Sequence, residues 1–239
     1  MTQEKPDPPF SRAMVVVAHA DDAEYGCSGT VAKWCRQGWK VVYVLCTDSS
    51  KGSDDPEMTS EKLIEIRREE QLEAAGILGL EKVEFLNHPD TFLTPSLELR
   101  KDIVRAIRVH RPDILVTMGP SRRLEESFYI GHPDHSAAGE AALSAVFPTA
   151  RDRLAYPDML EEGLEPHRVR EVWVMFGGDD ANEHVELGEE DIKKSIAALK
   201  AHRSQVSENV EERVREWKAR NGEKTGFKYS ESFRVFHLG

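Results

Sequence analysis

The stretch that decides the fold is residues 13–24, which read AMVVVAHADDAE. Its first half is a run of β-branched and small apolar residues, typical of a strand buried on both faces of a parallel sheet. Its second half brings one histidine and three carboxylates within six residues of each other, directly after that strand. Because ligands of α/β proteins bind at the carboxyl ends of central strands, this pattern predicts a functional site there.

Outward from this strand, strand-like and helix-like segments alternate along the chain. Further strands are predicted at residues 40–46, 82–86, 113–117, 171–176 and 232–237. The segments between the earlier strands carry apolar residues at helical spacing, with capping residues and glycine stops at their ends. Alternation of this kind favours βαβ units. We therefore expect a single Rossmann-like, doubly wound α/β fold, with a mostly parallel sheet ordered 3-2-1-4-5 and helices on both faces.

The composition is that of a globular protein. Of the 239 residues, 39% are hydrophobic and 31% are charged, which separates the chain from disordered ones. No repeat, low-complexity tract or linker interrupts the pattern, so we expect a flexible polar arm at residues 1–11 and one domain over residues 12–239. The formal net charge of −11 argues against a nucleic-acid partner and against an anionic membrane surface.

The sequence also gives expectations about the compartment. The N-terminus lacks the basic and apolar regions of a signal peptide, and no apolar run approaches the ~20 residues of a membrane helix. Cys27, Cys35 and Cys46 have neither metal-ligand nor redox spacing, so they are expected to be buried thiols. These observations predict a cytoplasmic protein without a membrane span.

Familiar site motifs are missing from the sequence. The segment Gly26-Cys27-Ser28-Gly29 lacks the glycine spacing of a dinucleotide-binding loop. Thr30 stands where a nucleophile elbow around Ser28 would need its second glycine. The H-E-x-x-H pattern of zinc proteases does not occur either. The chemistry must therefore come from another group of residues.

A second polar cluster, His132-Pro133-Asp134-His135, follows the fourth predicted strand and begins a helix. In a sheet ordered 3-2-1-4-5, strands 1 and 4 are neighbours, and the chain changes direction between them. Ligands bind in the crevice outside the strand ends at such a switch point. The topology therefore predicts that this cluster lies beside residues 19–24, although over 100 residues separate the two.

Together the clusters supply the ligands of a catalytic zinc site, which uses three protein ligands and keeps one position for water. The predicted ligands are His19, Asp22 and His135. Another divalent metal is an alternative to zinc. Asp21 would then accept a proton from a water molecule that the metal has acidified. His132, oriented by Asp134 or its neighbours, could protonate a leaving group or stabilise an oxyanion. This set of groups indicates metal-assisted hydrolysis.

Each cluster also has an ordinary structural explanation. Aspartate and histidine that follow a strand often cap the next helix. A second His-Pro-Asp, at residues 88–90, indicates that this tripeptide also occurs as a simple turn. The joint placement of both clusters at the switch point favours the catalytic interpretation.

At these residues the chain resembles the LmbE-like (PIG-L) family of metal-dependent N-acetylglucosamine deacetylases. Residues 18–30, AHADDAEYGCSGT, are similar to the hallmark A-H-P-D-D-x-E followed by G-C-x-G-T, and residues 132–135 match the hallmark H-P-D-H. The family pattern R-x-x-E-x-x-x-A-x-x-x-L-G is matched by Arg67, Glu70, Ala74, Leu78 and Gly79. Pro112-Asp113-Ile114 and His202-Arg203-Ser204-Gln205 match two further motifs.

The resemblance implies a zinc-dependent hydrolase that removes an N-acyl group, with acetyl as the leading candidate, from an N-acetylglucosamine-like sugar or glycoconjugate. It implies the same three metal ligands, Asp21 as general base, and His132 with its partner Asp134 as electrophile and general acid. It also implies that Arg67 and Asp90 contact sugar hydroxyls, and that the protein is a homo-oligomer.

The chain departs from the family pattern in places that bear on the site. Ala20 replaces the usual proline of the first hallmark, and Ile130 stands where some members carry a tyrosine, with Tyr129 beside it. The loop of residues 118–131 should line the mouth of the crevice. Its adjacent Arg122 and Arg123 give the hypothesis that the loop binds a substrate anion.

Three other functions stay open at this point. An amidase acting on a thiol-sugar conjugate, or on another small amide, would use the same metal chemistry on a different bond. An iron(II) oxygenase also uses two histidines and one carboxylate, although its usual all-β scaffold conflicts with the βαβ pattern. A non-catalytic metal- or sugar-binding module would be indicated by loss of Asp21 or of a ligand, and none is lost.

Overall fold

The fold is built on a central β-sheet, seen in a computed structural model that describes residues 9–122, 130–175, 180–223 and 225–238. The strands are β1 (Arg12–Val17), β2 (Lys40–Thr47), β3 (Lys82–His88), β4 (Ile114–Thr117), β5 (Glu171–Met175), β6 (Glu183–Glu186) and β7 (Ser230–His237). Their order across the sheet is β3-β2-β1-β4-β5-β7-β6. The predicted order 3-2-1-4-5 is therefore confirmed, and β7 and β6 extend the sheet beyond β5.

The register shows why β1 is central. Val15 lies between Tyr43 of β2 and Val116 of β4, and all the pairings among β1 to β5 are parallel. β7 runs antiparallel to both β5 and β6. Every residue of β1 after Arg12 is buried, which explains the unbroken apolar run in the sequence.

Helices cover the sheet in two groups. The helices are α1 (Asp22–Gly26), α2 (Ser28–Arg36), α3 (Ser60–Leu78), α4 (Leu97–His110), α5 (Pro133–Val146), α6 (Pro157–Glu161), α7 (Glu189–Lys200) and α8 (Val210–Glu223). α7 packs against α2 and α3, whereas α4 packs against α5, and both groups contact the central strands. This arrangement gives the predicted α/β sheet flanked by helices. No described helix is long and apolar enough to cross a membrane.

The domain division stays a prediction from the sequence. Most of the predicted arm, residues 1–8, lies outside the described residues. Cys27 and Cys46 are fully buried, as expected, and Cys35 is half-buried.

A buried ion pair joins α8 to the rest of the protein. Lys218 Nζ lies 2.7 Å from Glu231 Oε1 of β7, with both side chains 1% exposed, and it also donates to the Tyr25 carbonyl. The Glu231 carboxylate accepts the N–H groups of Gly29 and Thr30, at the start of α2. Since a buried carboxylate must be paired, Lys218 fixes α8 against α1, α2 and β7.

Replacing Lys218 with methionine is expected to lower the free energy of unfolding by about 3 kcal/mol, because the Glu231 charge stays buried without its cation. The Gly29 and Thr30 N–H groups at the start of α2 still donate to Glu231 in this variant. The loss of stability is therefore expected at the lower end of the range of about 3–5 kcal/mol found when one partner of a buried ion pair is removed. Urea unfolding followed by circular dichroism measures the change. Lys200→Met, which removes an exposed pair with Glu211, should leave stability almost unaltered. Equal losses in both variants would contradict the structural role of Lys218.

Candidate active site

The two polar clusters meet at the carboxyl ends of β1 and β4. His19 follows β1, while His132 caps the N-terminus of α5 and His135 lies in its first turn. The ring centroids are 4.8 Å apart for His19 and His132, 5.4 Å for His19 and His135, and 5.3 Å for His132 and His135. Three imidazoles thus share one small volume beside the switch point of the sheet.

Asp22 links two of these imidazoles. Its Oδ1 lies 3.0 Å from His135 Nε2, and its Oδ2 lies 3.5 Å from His19 Nδ1. Oδ2 also accepts the backbone N–H of His19 at 2.8 Å, which holds the carboxylate in the turn between β1 and α1. The structure therefore brings the three predicted ligands into one contact group.

The second nitrogen of His19 faces two other carboxylates. His19 Nε2 is 3.0 Å from Asp90 Oδ1 and 3.2 Å from Asp134 Oδ2. Asp134 also accepts the N–H of Thr91, and Asp90 accepts the N–H of Lys51. Both carboxylates are buried, so each is fixed before any ligand arrives.

The electrostatics of this group favour a positive charge. Burial opposes protonation of His19, but hydrogen bonds to Asp134, Asp22 and Asp90 outweigh it and raise the pKa of His19 to about 12. Burial likewise opposes ionisation of Asp22, but His135 and His19 hold the pKa of that carboxyl well below its usual range. A bound metal ion would satisfy the same carboxylates in place of the proton.

The described residues contain two groups of potential ligand atoms lying within 4.8 Å of one another: His19 with His132 and His135, and His19 with Asp90 and Asp134. In addition, the Oδ1 atom of Asp134 is buried and has no hydrogen-bond partner among the residues that the structure describes. Imidazole nitrogens and carboxylate oxygens are ligands of zinc and of other divalent metals. The residues present therefore fit a metal ion.

Asp21 occupies a special backbone conformation beside this cluster. Its φ of 83° is left-handed, which aspartate tolerates better than most residues. Its N–H donates to Gln71 Oε1 at 3.4 Å, and its Oδ1 lies 3.8 Å from Arg67 Nη2. Burial and the charge of Asp22 raise the pKa of Asp21 to about 7, with Arg67 opposing the rise.

Arg67 holds the turn that precedes Asp21. Its guanidinium is buried and donates to the carbonyls of Ala20 at 2.7 Å and Lys51 at 3.1 Å. A sugar contact by Arg67 or Asp90 stays a prediction, because the observed contacts of both side chains are to protein groups.

A buried network behind Asp21 was missed by the sequence analysis. Gln71 Nε2 donates to Glu24 Oε1 at 3.0 Å, and Glu24 Oε2 lies 3.5 Å from Nε2 of the fully buried His202. Burial opposes protonation of His202, but Glu24 raises its pKa. The sequence offered two signals: the H-x-S-Q motif, and the four-residue spacing that puts Gln71 on the same helix face as Arg67.

His132 is fixed by the start of α5. The N–H of Asp134 donates to His132 Nδ1 at 3.2 Å, which in a neutral ring leaves the proton on Nε2. The Asp134 carboxylate is 3.9 Å from His132 Nδ1 and lies closer to His19. Burial and the neighbouring His19 lower the pKa of His132, which favours its neutral form. The Asp134 carboxylate therefore contacts His19 more closely than His132, and the pairing of His132 with Asp134 stays a prediction.

A cavity of about 950 Å³ opens beside the cluster, with Asp22, His132 and His135 in its wall. The described ends of the loop at 118–131 also line it. Arg122 belongs to this wall and its Nε donates to the carbonyl of Gly131 at 2.8 Å. Ile130 is exposed, whereas Arg123 and Tyr129 lie outside the described residues.

A doubly wound α/β sheet with an imidazole and carboxylate cluster at its switch point defines a class of Rossmann-like proteins with a candidate metal centre. Comparison with known families identifies the family to which the chain belongs. The model of the PIG-L family, described as GlcNAc-PI de-N-acetylase, matches residues 14–146, and this chain belongs to that family of deacetylases.

Individual relatives are similar over most of the chain. The diacetylchitobiose deacetylase of Thermococcus kodakarensis is 32% identical over 227 residues, covering 93% of this chain and 82% of the relative. A 1D-myo-inositol 2-acetamido-2-deoxy-alpha-D-glucopyranoside deacetylase 2 of Saccharopolyspora erythraea is 30% identical, covering 81% of this chain and 83% of the relative. The solved structure of N,N'-diacetylchitobiose deacetylase from Pyrococcus horikoshii matches with a TM-score of 0.86 at 29% identity, covering 95% of this chain and 84% of that one.

Proposed function

We propose that the protein is a divalent-metal-dependent hydrolase that removes the N-acetyl group from an N-acetylglucosamine-like sugar or glycoconjugate. The observation that carries this proposal is the convergence of His19, Asp22 and His135, with Asp22 and His135 in the wall of the cavity of about 950 Å³. Membership of a deacetylase family supports the reaction. The names of the relatives, which refer to acetylated amino sugars, support the substrate class.

His19, Asp22 and His135 would hold the metal, because two imidazoles and one carboxylate are a ligand set that catalytic zinc sites use. When bound, the metal supplies Lewis-acid polarisation of the amide carbonyl and acidifies the attacking water. The carboxylates of Asp90 and Asp134 orient His19 through its Nε2 atom, as carboxylates commonly do for metal-binding histidines.

Asp21 is the general base in this proposal. No hydrogen bond from another described residue occupies its carboxylate, and its nearest cation, Arg67, is 3.8 Å away. Burial raises the pKa of Asp21, which makes its carboxylate a stronger acceptor of a proton from water. The left-handed turn, held by Arg67 and Gln71, keeps Asp21 apart from the ligand Asp22.

His132 donates a hydrogen bond to the oxygen of the scissile amide. Its Nδ1 is occupied by the Asp134 N–H, so the neutral ring presents its Nε2–H towards the cavity side of the cluster. A fixed donor aimed at a developing oxyanion lowers the barrier without reorganisation during the reaction. The homo-oligomeric state and the cytoplasmic location stay predictions from the sequence.

Purified protein loaded with zinc is expected to release primary amine and acetate from N-acetylglucosamine or N,N'-diacetylchitobiose. Removing the metal with a chelator should abolish turnover, and adding zinc back should restore it, because three of the groups that define the site are metal ligands. Amine release, measured with an amine-reactive dye and matched against acetate, tests this on a panel of N-acetyl sugars.

The panel also separates the alternatives. Turnover of a thiol-sugar amide without turnover of any N-acetyl sugar would replace the proposed substrate and keep the chemistry. Binding of sugars without amine release, in zinc-loaded protein, would favour a non-catalytic module and contradict the proposal.

A further inference from the structure

Helix α8 forms part of the wall of the cavity. Val210, Arg213, Val214, Trp217 and Arg220 all line the cavity. These positions repeat at intervals of three and four residues, so they belong to one face of the helix. Val210 and Val214 are buried on that face, while both arginines are exposed.

The two arginines of this face are uncompensated. Neither the Arg213 nor the Arg220 side chain makes a hydrogen bond or an ion pair with any residue the structure describes. Arg215, on the same helix but outside the cavity, pairs with Glu189 and Glu211. In a chain with a net charge of −11, carboxylates are abundant, yet Arg213 and Arg220 have no carboxylate partner among the described residues.

Two more guanidiniums line the same cavity, from outside α8. Arg122 lies near the imidazole cluster, and Arg234 of β7 has its guanidinium 5.4 Å from the Phe236 ring. Among the described residues of the wall, the carboxylates apart from the candidate ligand Asp22 are Asp180 and Glu216. Within this described part of the wall, four arginines face those two carboxylates, so it is locally cationic although the protein is acidic.

Trp217 gives this wall a flat aromatic surface between the two arginines. It lies four residues after Arg213 and three before Arg220, and the buried Lys218 Nζ is 4.3 Å from its ring centroid. An aromatic ring in such a wall can stack on a sugar or aryl group, while guanidiniums on either side bind an attached anion.

Tyr25 connects this wall to the reaction centre. It lies in α1, three residues after the ligand Asp22, and lines the same cavity. Burial and the charge of Asp21 raise the pKa of Tyr25, whereas Arg213 opposes the rise.

We propose that the face of α8 bearing Arg213, Trp217 and Arg220 is a subsite for an anionic group, either a carboxylate or a phosphate, on the aglycone of the N-acetyl sugar. The proposal rests on the proposed function and specifies its substrate class, an anionic conjugate. Guanidinium groups suit both anions because each can donate two parallel hydrogen bonds to them. The two arginines are separated by about 10 Å along the helix axis, which lets them reach anions at different aglycone positions.

Matched pairs of probes test this subsite. For a carboxylate, 4-carboxyphenyl β-N-acetylglucosaminide is compared with the 4-carbamoylphenyl glycoside, which is neutral and nearly equal in size. For a phosphate, N-acetylglucosamine 1-phosphate is compared with the methyl glycoside. Wild-type protein is expected to prefer the anionic member of at least one pair by about 10-fold in kcat/KM, mainly through KM. In the double variant Arg213→Gln/Arg220→Gln this preference should fall to near unity.

The control removes the same charge elsewhere. Arg153→Gln/Arg215→Gln also loses two guanidiniums, but both pair with surface carboxylates and neither lines the cavity. The control variant should keep the wild-type preference for the anionic probe. Added salt should weaken this preference in the wild type and in the control alike. A wild type without any preference, or an equal loss in both double variants, would overturn the subsite.

Binding separates failure of the subsite from failure of the proposed function. Calorimetry of N-acetylglucosamine 1-phosphate and the carboxyphenyl glycoside needs no turnover. If no probe is hydrolysed, the proposed function fails, yet an affinity of wild type and control that is about 10-fold above that of Arg213→Gln/Arg220→Gln still supports the anion subsite. Equal affinities in all three proteins would overturn it.

Discussion

Asp21→Asn is expected to lower kcat by roughly 10²–10⁴-fold while the protein keeps its bound metal. Asparagine has the shape of aspartate, tolerates the left-handed backbone, and can still hydrogen-bond a water molecule. It cannot accept a proton, however, and that is the role proposed for Asp21. Elemental analysis gives the metal content, and initial rates on one responsive substrate give kcat.

The matched control for this change is Asp158→Asn. Asp158 is an exposed carboxylate that pairs with Lys101 on the surface, so its loss should leave both metal content and kcat unaltered. Loss of metal from Asp21→Asn would make Asp21 a ligand rather than a base. If Asp21→Asn keeps most of the wild-type kcat, Asp21 takes no part in proton transfer.

The sequence predicted the fold well where burial determines the residue pattern. β1, β2 and β4 are buried on both faces, so their apolar runs were visible in the sequence. β6 was missed because it is a four-residue strand of sequence EHVE at the sheet edge, with a single apolar residue. An edge strand needs no continuous apolar run, and its pairing with β7 depends on tertiary context.

The site was predicted at the level of its clusters, because topology alone brings the ends of neighbouring parallel strands together. Individual side-chain contacts were not predictable in the same way. Asp134 was expected to pair with His132; its carboxylate lies 3.2 Å from His19 Nε2 and 3.9 Å from His132 Nδ1, while its backbone N–H donates to His132 Nδ1. Gln71 and His202 were missed, because their partner Glu24 lies on another element far along the chain.

The cationic wall of the cavity illustrates a further limit of sequence reasoning. The sequence analysis looked for an anion site in the loop with Arg122, where two arginines are adjacent. In α8, Arg213 and Arg220 belong to a helix rich in charged residues of both signs, in which most charges face solvent. Only the packing of α8 against β7 and α1 distinguishes the face that lines the cavity from the face that pairs with Glu189.

His135, in the first turn of α5, is one of the three proposed metal ligands. His135→Ala is expected to abolish both tightly bound zinc and activity, because it removes one of only three protein ligands. Loss of a residue that merely hydrogen-bonds to a ligand typically lowers metal affinity about 10–100-fold, and loss of a ligand should lower it much further. Zinc content after dialysis and the zinc-induced rise in Tm measure binding without reference to turnover.

His132→Ala makes this test discriminating, because His132 also lies within ligand distance of His19 and His135. If His19, Asp22 and His135 are the ligands, His132→Ala keeps its zinc and loses rate, whereas Asp22→Asn loses zinc as His135→Ala does. The control His237→Ala removes an exposed imidazole that contacts Glu171 and should behave as wild type. If His132→Ala loses zinc and Asp22→Asn keeps it, the assignment of these two residues is wrong. The three imidazoles would then hold the metal, and His132 could not be the donor to the amide oxygen.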